Sequence, residues 1–483
     1  MNFFFTLALP LALALVTAAT LIAEPALTIY NQGFAVVRER LALDLQAGEN
    51  VVAFAGVTGQ LEPDSVVLRD AAGRVPLRIL EQSYRADVMS QGLLLAMHEG
   101  QELDFLVTDA SGKESTVRGR VRRSGYTPGG EMAAPIVEVG GKIRFTLPGQ
   151  PLFPSLPGDG VLRPTLSWVL SANEPVKFAA ELSYITGGLS WQAAYNLVAP
   201  EHGDRLDVVG WVTVNNQSGT RFENAALKLM AGGVNRVQVS AVRDLGPRAK
   251  GAMMMAMAAP EAVTEKAFDE FHLYTLPRKV TLRDHETKQV EFMRATGVMA
   301  PVIYVYDGAS MYGGFQGGMV RDAAYGTQSN KKVWVMREFK NSEENKLGLA
   351  LPKGRLRFYR RDDADGRVEF TGENELDHTA KNELIRVKTG DAFDVVGERT
   401  RTNFNGNNRQ DFAEEDFEIK VRNRKSAPIR VRVVEHLYRW SNWGITQRSD
   451  EFSKKDAQTI EFAVEVPADT EKTITYRVRY EWK

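Results

Sequence analysis

The 483-residue sequence contains no cysteine. This absence excludes disulfide bonds, thiolate metal sites, a cysteine nucleophile and lipid attachment to a cysteine. The fold must therefore be held together by its hydrophobic core. Hydrophobic residues make up 43% of the chain, which is ordinary for a globular protein. At this length we expect more than one domain, since single cores stop growing at roughly 250 to 300 residues.

An excess of charge of one sign is also missing. The chain has 60 lysines and arginines against 61 aspartates and glutamates, so its formal net charge is -1. A surface that binds nucleic acid needs clustered positive charge to neutralise phosphates. We therefore expect no nucleic-acid partner.

The motifs that mark common catalytic and metal sites are absent too. The six histidines are scattered and form no HExxH or i, i+4 pair, and GLSWQ at 188–192 lacks the second glycine of a GxSxG elbow. No phosphate-binding glycine loop follows a strand. The sequence therefore predicts no cofactor, no metal and no enzyme of these classes. A hydrolase of unrecognised type stays open, and the nearest cluster for it is His378 with Glu373, Glu375 and Asp377.

The N-terminal segment MNFFFTLALPLALALVTAATLIA is apolar and ends in small residues. This arrangement is typical of a secretory signal peptide over residues 1–23, with cleavage after Ala18 or Ala19. It predicts an exported, periplasmic protein with no membrane span after cleavage. The segment lacks lysine and arginine, and Phe3 to Ala23 approaches the roughly 20 residues of a membrane span, so a retained anchor is the alternative.

Long amphipathic helical patterns are rare, whereas alternation with period two recurs after Leu27. In TITYRVRYEW near the C-terminus, every second residue from Ile474 to Trp482 is apolar, which is the pattern of a half-buried strand. FEIKVRN and PIRVRVVEH repeat it, and residues 423–428 between them have hairpin chemistry. We therefore predict an all-β, multidomain protein.

Two shifts in composition suggest domain boundaries. Residues 126–164 are dense in glycine and proline and indicate a connection between an N-terminal β module, residues 24–125, and a β-sandwich-like unit, residues 165–483. Within that unit, residues 246–268 contain the run GAMMMAMAAPEA, which favours a low-complexity insertion. The methionines of this run have neither spaced repeats nor a nearby histidine, so a Cu(I) site is disfavoured.

Two short turns are predicted from their glycines. Gly187-Gly188 suits a two-residue hairpin loop that would place Tyr184 opposite Trp191, a structural joint rather than a ligand platform. RDDADG at 361–366 offers no carboxylate at the first or last position of a calcium loop, so Asp365-Gly366 is interpreted as a hairpin turn.

Several stretches carry a family resemblance. PTLSWVLSANEPVKFAAELSYITGGLSWQAAYNL, LDVVGWVTVNNQSGTRFENAALKLMAGG, LYTLPRKVTLRDHETKQVEF and EHLYRWSNWGIT occur in that order within residues 164–483. Together they resemble a bacterial family of unknown function that forms the C-terminal part of mucoidy inhibitor A-like proteins. The resemblance implies an exported, β-rich protein without established catalysis, and it supplies no catalytic residues. The coiled-coil segment of the mucoidy-inhibitor members is missing here.

One cluster has the chemistry of a binding site. In YRWSNWGIT, Trp440 and Trp443 are accompanied by Arg439 and Asn442. Aromatic rings can stack on a sugar while polar groups bind its hydroxyls. We expect a non-enzymatic cell-envelope protein with a binding or scaffold role, whose partner is an envelope protein or a polysaccharide. A carbohydrate-binding protein that uses these four residues is the alternative.

Overall fold

The structure is a computed structural model that describes residues 16–18, 20–21, 24–127, 130–155, 160–234, 264–268, 270–310, 317–406 and 411–482. Within these ranges the chain is almost entirely strand, with one α-helix of seven residues, which confirms the all-β prediction. In this described part, no helix has the length and apolarity needed to cross a membrane. The chain divides into two compact units. The first comprises Met1–Trp191, Val214–Val239 and Leu273–Lys288, and the second comprises Gln192–Thr213, Ser240–His272 and Gln289–Lys483.

The strands are numbered in chain order. Up to residue 172 they are β1 (Val16–Ala18), β2 (Thr20–Leu21), β3 (Ala26–Tyr30), β4 (Phe34–Leu45), β5 (Gly48–Ala55), β6 (Val67–Asp70), β7 (Arg78–Arg85), β8 (Glu102–Thr108), β9 (Glu114–Arg123), β10 (Ile136–Val139), β11 (Lys142–Arg144), β12 (Gln150–Leu152) and β13 (Thr165–Ala172). A 3-10 helix (Pro63–Ser65) precedes β6, and α1 (Gln91–Met97) precedes β8.

The remaining strands run to the C-terminus. They are β14 (Val176–Gly187), β15 (Leu189–Ala199), β16 (Arg205–Asn216), β17 (Phe222–Ala231), β18 (Thr264–Phe268), β19 (Phe271–Thr275), β20 (Val280–Leu282), β21 (Glu286–Met299), β22 (Val302–Asp307), β23 (Lys332–Lys340), β24 (Gly354–Arg361), β25 (Val368–Leu376), β26 (Leu384–Gly406), β27 (Phe412–Asn423), β28 (Ile429–His436), β29 (Trp443–Arg448), β30 (Phe452–Lys454), β31 (Thr459–Val466) and β32 (Thr470–Glu481).

In the first unit, β4 and β14 are neighbours in a sheet that includes the run β17-β3-β4-β14-β6. Both strands have twelve residues, and they pair antiparallel from Val176 opposite Leu45 to Gly187 opposite Phe34. Alternate residues of β4, such as Leu41 and Leu43, are buried, as the period of a half-buried strand requires. A second sheet, in the order β1-β5-β13-β7, lies in the same unit.

Residues 86–164 are inserted between β7 and β13, which are direct neighbours in that second sheet. The insertion forms its own five-stranded sheet in the order β11-β10-β9-β8-β12. Its small core consists of Leu95, Leu103, Phe105, Val121 and Val137. The glycine- and proline-rich range 126–164 therefore contains β10, β11 and β12 in addition to turns.

The Gly187-Gly188 stretch is a joint, but the predicted hairpin is wrong. β14 is paired on both sides, by β4 and β6, whereas β15 belongs to another sheet, where β24 pairs with it. Only Gly188 has a positive φ, +75°, and a Cβ there would lie 2.6 Å from the Gln217 carbonyl oxygen. The glycines therefore let the chain leave one sheet and enter the next. Tyr184 and Trp191 are both buried, although they do not pair across strands.

The second unit contains a sheet in the order β21-β16-β15-β24-β25 and a nine-stranded sheet in the order β29-β32-β27-β26-β23-β22-β28-β31-β30. The end strands β29 and β30 are linked by residues 449–451 alone. A flat sheet would separate them by about 38 Å, since neighbouring strands lie about 4.8 Å apart. The link spans at most roughly 14 Å. The nine-stranded sheet must therefore curl until its two ends meet.

Three further predictions concern loops of the second unit. Arg361 pairs with Val368 across an antiparallel β24-β25 hairpin in which Gly366 has φ +72°, which confirms the Asp365-Gly366 turn. The hairpin predicted at residues 423–428 is wrong, because β27 pairs with β26 and β32 while β28 pairs with β22 and β31. Most of the predicted insertion 246–268 lies outside the described residues, and its last five residues form β18.

Candidate functional site

The nine-stranded sheet encloses five charged side chains, which we call the arginine cluster: Arg399, Arg401, Glu415, Glu435 and Arg439. Strands β26, β27 and β28 supply four of them, and Arg439 lies in the turn that follows β28. Glu435 continues the inward row of Val431 and Val433 on β28, and Glu415 precedes the inward row of Phe417 and Ile419 on β27. The inward rows of apolar residues thus end in charges.

Two buried ion pairs form the centre of the arginine cluster. The Arg399 guanidinium Nε lies 2.8 and 2.9 Å from the two oxygens of Glu435, whose side chain is 0% exposed. The Arg439 guanidinium donates from Nη2 and Nε to the two oxygens of Glu415, at 2.8 and 3.1 Å. Arg401 adds a third contact, 3.0 Å from Glu415. The Arg439–Glu415 pair, in which two nitrogens bond two oxygens, is the strong form of the arginine–carboxylate interaction, whereas Arg399 shares one N–H between both oxygens of Glu435.

The remaining donors of the arginines hold one loop, residues 320–326. Arg439 donates to the carbonyl oxygens of Val320, Asp322 and Tyr325 at 2.8 to 2.9 Å. Arg399 donates to the Gly326 carbonyl at 2.7 Å. A buried guanidinium needs acceptors for its N–H groups. The carbonyls of the loop supply them, and in return the arginines hold the backbone of the loop.

Burial and charge shift the pKa values around this cluster. Burial raises the pKa of Tyr476 well above its usual value, and the Glu435 carboxylate, which accepts the Tyr476 hydroxyl at 2.5 Å, raises it further. Burial alone would lower the pKa of Arg399, but the charge of Glu435 outweighs it and the net shift is upward. Burial also raises the pKa of Tyr306 to about 12. Arg399 thus stays cationic and both tyrosines stay neutral at physiological pH.

A second pair of titratable residues lies beside the cluster. The His436 Nε2 atom is 2.9 Å from Asp307 Oδ2, although the two residues are 129 positions apart in sequence. The other ring nitrogen of His436 lies 3.4 Å from the Thr459 hydroxyl, and the Tyr438 ring stacks on the imidazole at 4.8 Å. The His436 side chain is 14% exposed, and Asp307 Oδ1 is buried with no hydrogen-bond partner among the described residues.

Comparison with known proteins places this unit in a family. A family model described as a domain of unknown function, DUF4139, matches residues 180–483, which is more than half of the chain. The chain belongs to the DUF4139 family. No protein with a curated description matches it. The DUF4139 match contains the whole nine-stranded sheet, the arginine cluster and the Asp307–His436 pair.

Within the DUF4139 region, the four residues predicted to bind a ligand fall into different environments. Arg439 is 1% exposed, and it donates to Glu415 and to the carbonyls of loop 320–326. Asn442 is exposed. Trp440 is partly buried and contacts Trp482 edge-to-face, with ring centres 6.5 Å apart. The structure therefore separates Arg439 from any surface role of the other three.

Trp443 closes the ends of the nine-stranded sheet. Its indole Nε1 donates to the Ala457 carbonyl at 2.8 Å, and the Lys454 ammonium lies 4.7 Å from the centre of its ring. Lys454 belongs to β30 and Trp443 to β29, so the contact between them joins the two end strands. The Trp443 side chain is partly buried and also packs against the hydrophobic core of the unit.

The residues around His378, which the sequence offered as the nearest cluster for a hydrolase, have no convergent geometry. His378 Nδ1 accepts the backbone N–H of Lys353 at 3.1 Å, while the carboxylates of Glu375 and Asp377 contact the Lys353 ammonium. Burial and the charge of Lys353 lower the pKa of His378. The residues therefore form a surface network about Lys353.

One group in the described residues has the spacing of a metal site. Glu201, His202 and Asp363 offer ligand atoms within 4.8 Å of one another. The Glu201 carboxylate already accepts the backbone N–H of Asp363 at 3.0 Å, which explains their proximity without an ion. His202 and Asp363 are exposed, as in an ordinary surface turn.

An isolated buried acid lies in the first unit. Glu39 occupies an inward position of β4 between Val37 and Leu41, and its Oε2 atom has no hydrogen-bond partner among the described residues. Burial raises the pKa of Glu39 to about 7. The buried hydroxyls of Tyr184 and Thr58 also lack a side-chain partner. Several buried polar atoms in this part of the core therefore have no hydrogen-bond partner among the described residues.

Sequence reasoning missed Arg399, Glu435, Asp307 and His436. A signal was present, since Glu435 occupies the inward register of PIRVRVVEH and Glu39 that of the apolar strand FAVVRERLALDL. A charge at an inward position of an apolar strand is costly unless it is paired. Such positions therefore predict a buried polar contact, although not its partner.

Proposed function

We propose that this chain is an exported, non-enzymatic protein of the bacterial cell envelope with a binding or scaffold role. The observation that supports the proposal is the set of groups to which the arginine cluster donates its hydrogen bonds. The guanidiniums of Arg399 and Arg439 direct their donors to two carboxylates and to the carbonyls of loop 320–326. Buried charges that hold the backbone of a loop in place are suited to a rigid framework, from which the loop can contact a partner.

The export part of the proposal rests on residues 1–23, whose composition favours a cleaved signal peptide. The resemblance to the C-terminal part of mucoidy inhibitor A-like proteins supports the same compartment. The lack of cysteine is compatible with an oxidising periplasm, because no thiol is present to be oxidised.

The experiment for this role uses the processed protein. We would express the full chain in a bacterial host, determine the intact mass of the envelope-fraction product, and use that product to capture partners from envelope extract. A cleaved protein that retains a stoichiometric protein partner supports a scaffold. A mature species that still carries residues 1–23 in the membrane pellet contradicts the processed form.

Carbohydrate binding is a second candidate, favoured by the partly exposed Trp443 beside the exposed Asn442. Glycan binding would be measured for the wild type, Trp443→Ala and Trp440→Ala. Binding that disappears in Trp443→Ala while the melting temperature is kept would support a sugar site. Equal loss of stability and binding would assign the ring to closure of the sheet.

A hydrolase of unrecognised type is a third candidate, because Asp307 and His436 converge despite their separation in sequence. An aspartate that orients a histidine is the arrangement of a general base. Hydrolysis of ester or glycan substrates by the purified protein would be compared with His436→Gln and with Lys353→Met as a surface control. Activity that His436→Gln abolishes would overturn the non-enzymatic proposal.

A further inference from the structure

The two long sides of strand β5 are covered to different extents. On one side, all eight residues from Gly48 to Ala55 pair antiparallel with β13. On the other side, only Val51, Val52 and Ala53 are paired, and their neighbour is the three-residue strand β1. The edge strand β1 is therefore the sole cover described for that side of β5.

The covering strand belongs to the predicted signal peptide. β1 runs parallel to β5, with Val16 opposite Val51 and Ala18 opposite Ala53. Cleavage after Ala18 or Ala19 would remove β1 but leave Thr20–Leu21, the strand β2 that pairs with β4. The processed protein would therefore expose the backbone N–H and C=O groups of β5 that β1 occupies.

The opposite edge of the same sheet is protected, whereas β5 is not. The edge strand β7 carries Arg78, Glu81 and Arg85, and its pairing with β13 shifts register at Leu80. Charges and bulges are the usual means by which proteins prevent strand addition at an edge. The stretch VVAFA of β5 has no charge and no proline, and its register with β13 is unbroken.

We propose that the processed protein binds an extended, uncharged segment of a partner protein, rich in small and β-branched residues, as a parallel strand along Val51–Ala53. The proposal rests on the proposed export with cleavage. The partner's composition follows from the chain's own Val-Thr-Ala segment, which occupies this edge in parallel register. Strand addition draws affinity from backbone hydrogen bonds and specificity from alternate side chains.

The test uses a fluorescent peptide with the sequence ALVTAA of residues 14–19 and the processed full-length protein. Fluorescence anisotropy should show saturable binding, and the same peptide with N-methylated amides at its threonine and following alanine should bind at least tenfold more weakly. Lysine substitutions provide a matched pair. Ala53→Lys lies within the paired stretch, and Ala55→Lys lies on the same face beyond it.

We expect Ala53→Lys to abolish peptide binding and Ala55→Lys to keep it, with both melting temperatures checked. If Ala53→Lys fails to fold, hydrogen exchange of the wild type replaces it: the peptide should slow exchange of the β5 amides alone. A correctly cleaved protein that binds neither peptide overturns the inference and leaves the envelope role intact. Retention of residues 1–19, seen by intact mass, or a dimer that Ala53→Lys dissociates, overturns it as well.

Discussion

Replacing Arg439 by methionine tests whether the arginine cluster fixes the fold or serves a ligand. The substitution keeps an apolar stem of similar length and removes the guanidinium. Glu415, whose side chain is 4% exposed, would lose two of its contacts and keep the one from Arg401. The carbonyls of Val320, Asp322 and Tyr325 would lose a charged donor.

The expected loss in free energy of unfolding is about 3 to 5 kcal/mol, the range for breaking a buried ion pair by removing one partner. The orphaned carbonyls alone account for about 1 kcal/mol or more each where water does not replace the donor. Arg401 limits the loss because it still faces Glu415. Arg439→Lys should lie between the wild type and Arg439→Met, since an ammonium keeps the charge but cannot form the two-pronged contact.

The assay is denaturant unfolding monitored by tryptophan fluorescence and by calorimetry. Two compact units need not unfold together, so the transition that responds to Arg439→Met identifies the second unit. Arg424→Met is the matched control, because Arg424 pairs with Asp469 at the surface, with side chains 57% and 78% exposed. The control should change stability by no more than about 0.5 kcal/mol.

A single result would refute this reasoning. If Arg439→Met were as stable as Arg424→Met, the ion pair with Glu415 would not support the fold. If the same variant also lost glycan binding, Arg439 would return to the ligand-binding role that its neighbours Trp440 and Trp443 suggested.

Three other substitutions follow from the first unit. Trp191→Ala should lower the free energy of unfolding, measured by denaturant unfolding, by about 3 to 5 kcal/mol, because Trp191 is 5% exposed and its ring packs edge-to-face on Tyr274. Gly188→Val should destabilise too, since its φ is +75° and the Gln217 carbonyl lies 2.6 Å from where a Cβ would be. As a control from the second unit, Gly203→Ala meets no atom and isolates the cost of a positive φ. Glu39→Gln should raise the free energy of unfolding by about 3 kcal/mol at pH 8 and leave it unchanged at pH 4. The Glu39 carboxyl, whose folded pKa is about 7, is protonated in the folded and unfolded states at low pH and opposes folding once it is ionised. An equal effect at both pH values would contradict that titration.

The strands themselves were predictable, because burial on one face imposes a period of two that is visible in a single segment. Val431, Val433, Ile474 and Tyr476 all lie inward as that period predicts. The Asp365-Gly366 turn was predictable from its residue types, because glycine accepts the positive φ that the turn requires, and β24 and β25 do pair across it.

Strand neighbours were not predictable, because alternation does not state which strand lies alongside. Residues 423–428 have the composition of a hairpin loop, yet β27 and β28 pair with strands from elsewhere in the chain. At Gly187-Gly188 the requirement was for one positive φ and a close approach to Gln217, which two glycines satisfy as well as they satisfy a tight turn. Local composition thus indicates where the chain turns, but not which strands pair with each other.

The candidate site was not predicted from the sequence, because arginine is generally expected at the surface. Arginine is mostly exposed, so Arg439 beside two tryptophans suggested a surface. Its burial depends on Glu415, 24 residues earlier, and on carbonyls more than 110 residues earlier. No pattern within YRWSNWGIT contains those partners.

The nine-stranded sheet offers a partner a loop whose backbone is held in place. Its end strands β29 and β30 contact each other through Trp443 and Lys454, while their described backbone pairing is with β32 and β31. Loop 320–326 is the loop whose backbone the buried arginines hold. In the first unit the candidate contact is a strand edge instead, since the uncharged stretch Val51–Ala53 of β5 is paired on that side with β1. Binding through a fixed loop is sensitive to Arg439, whereas binding through the β5 edge is sensitive to Ala53→Lys, so the two modes can be separated by these substitutions.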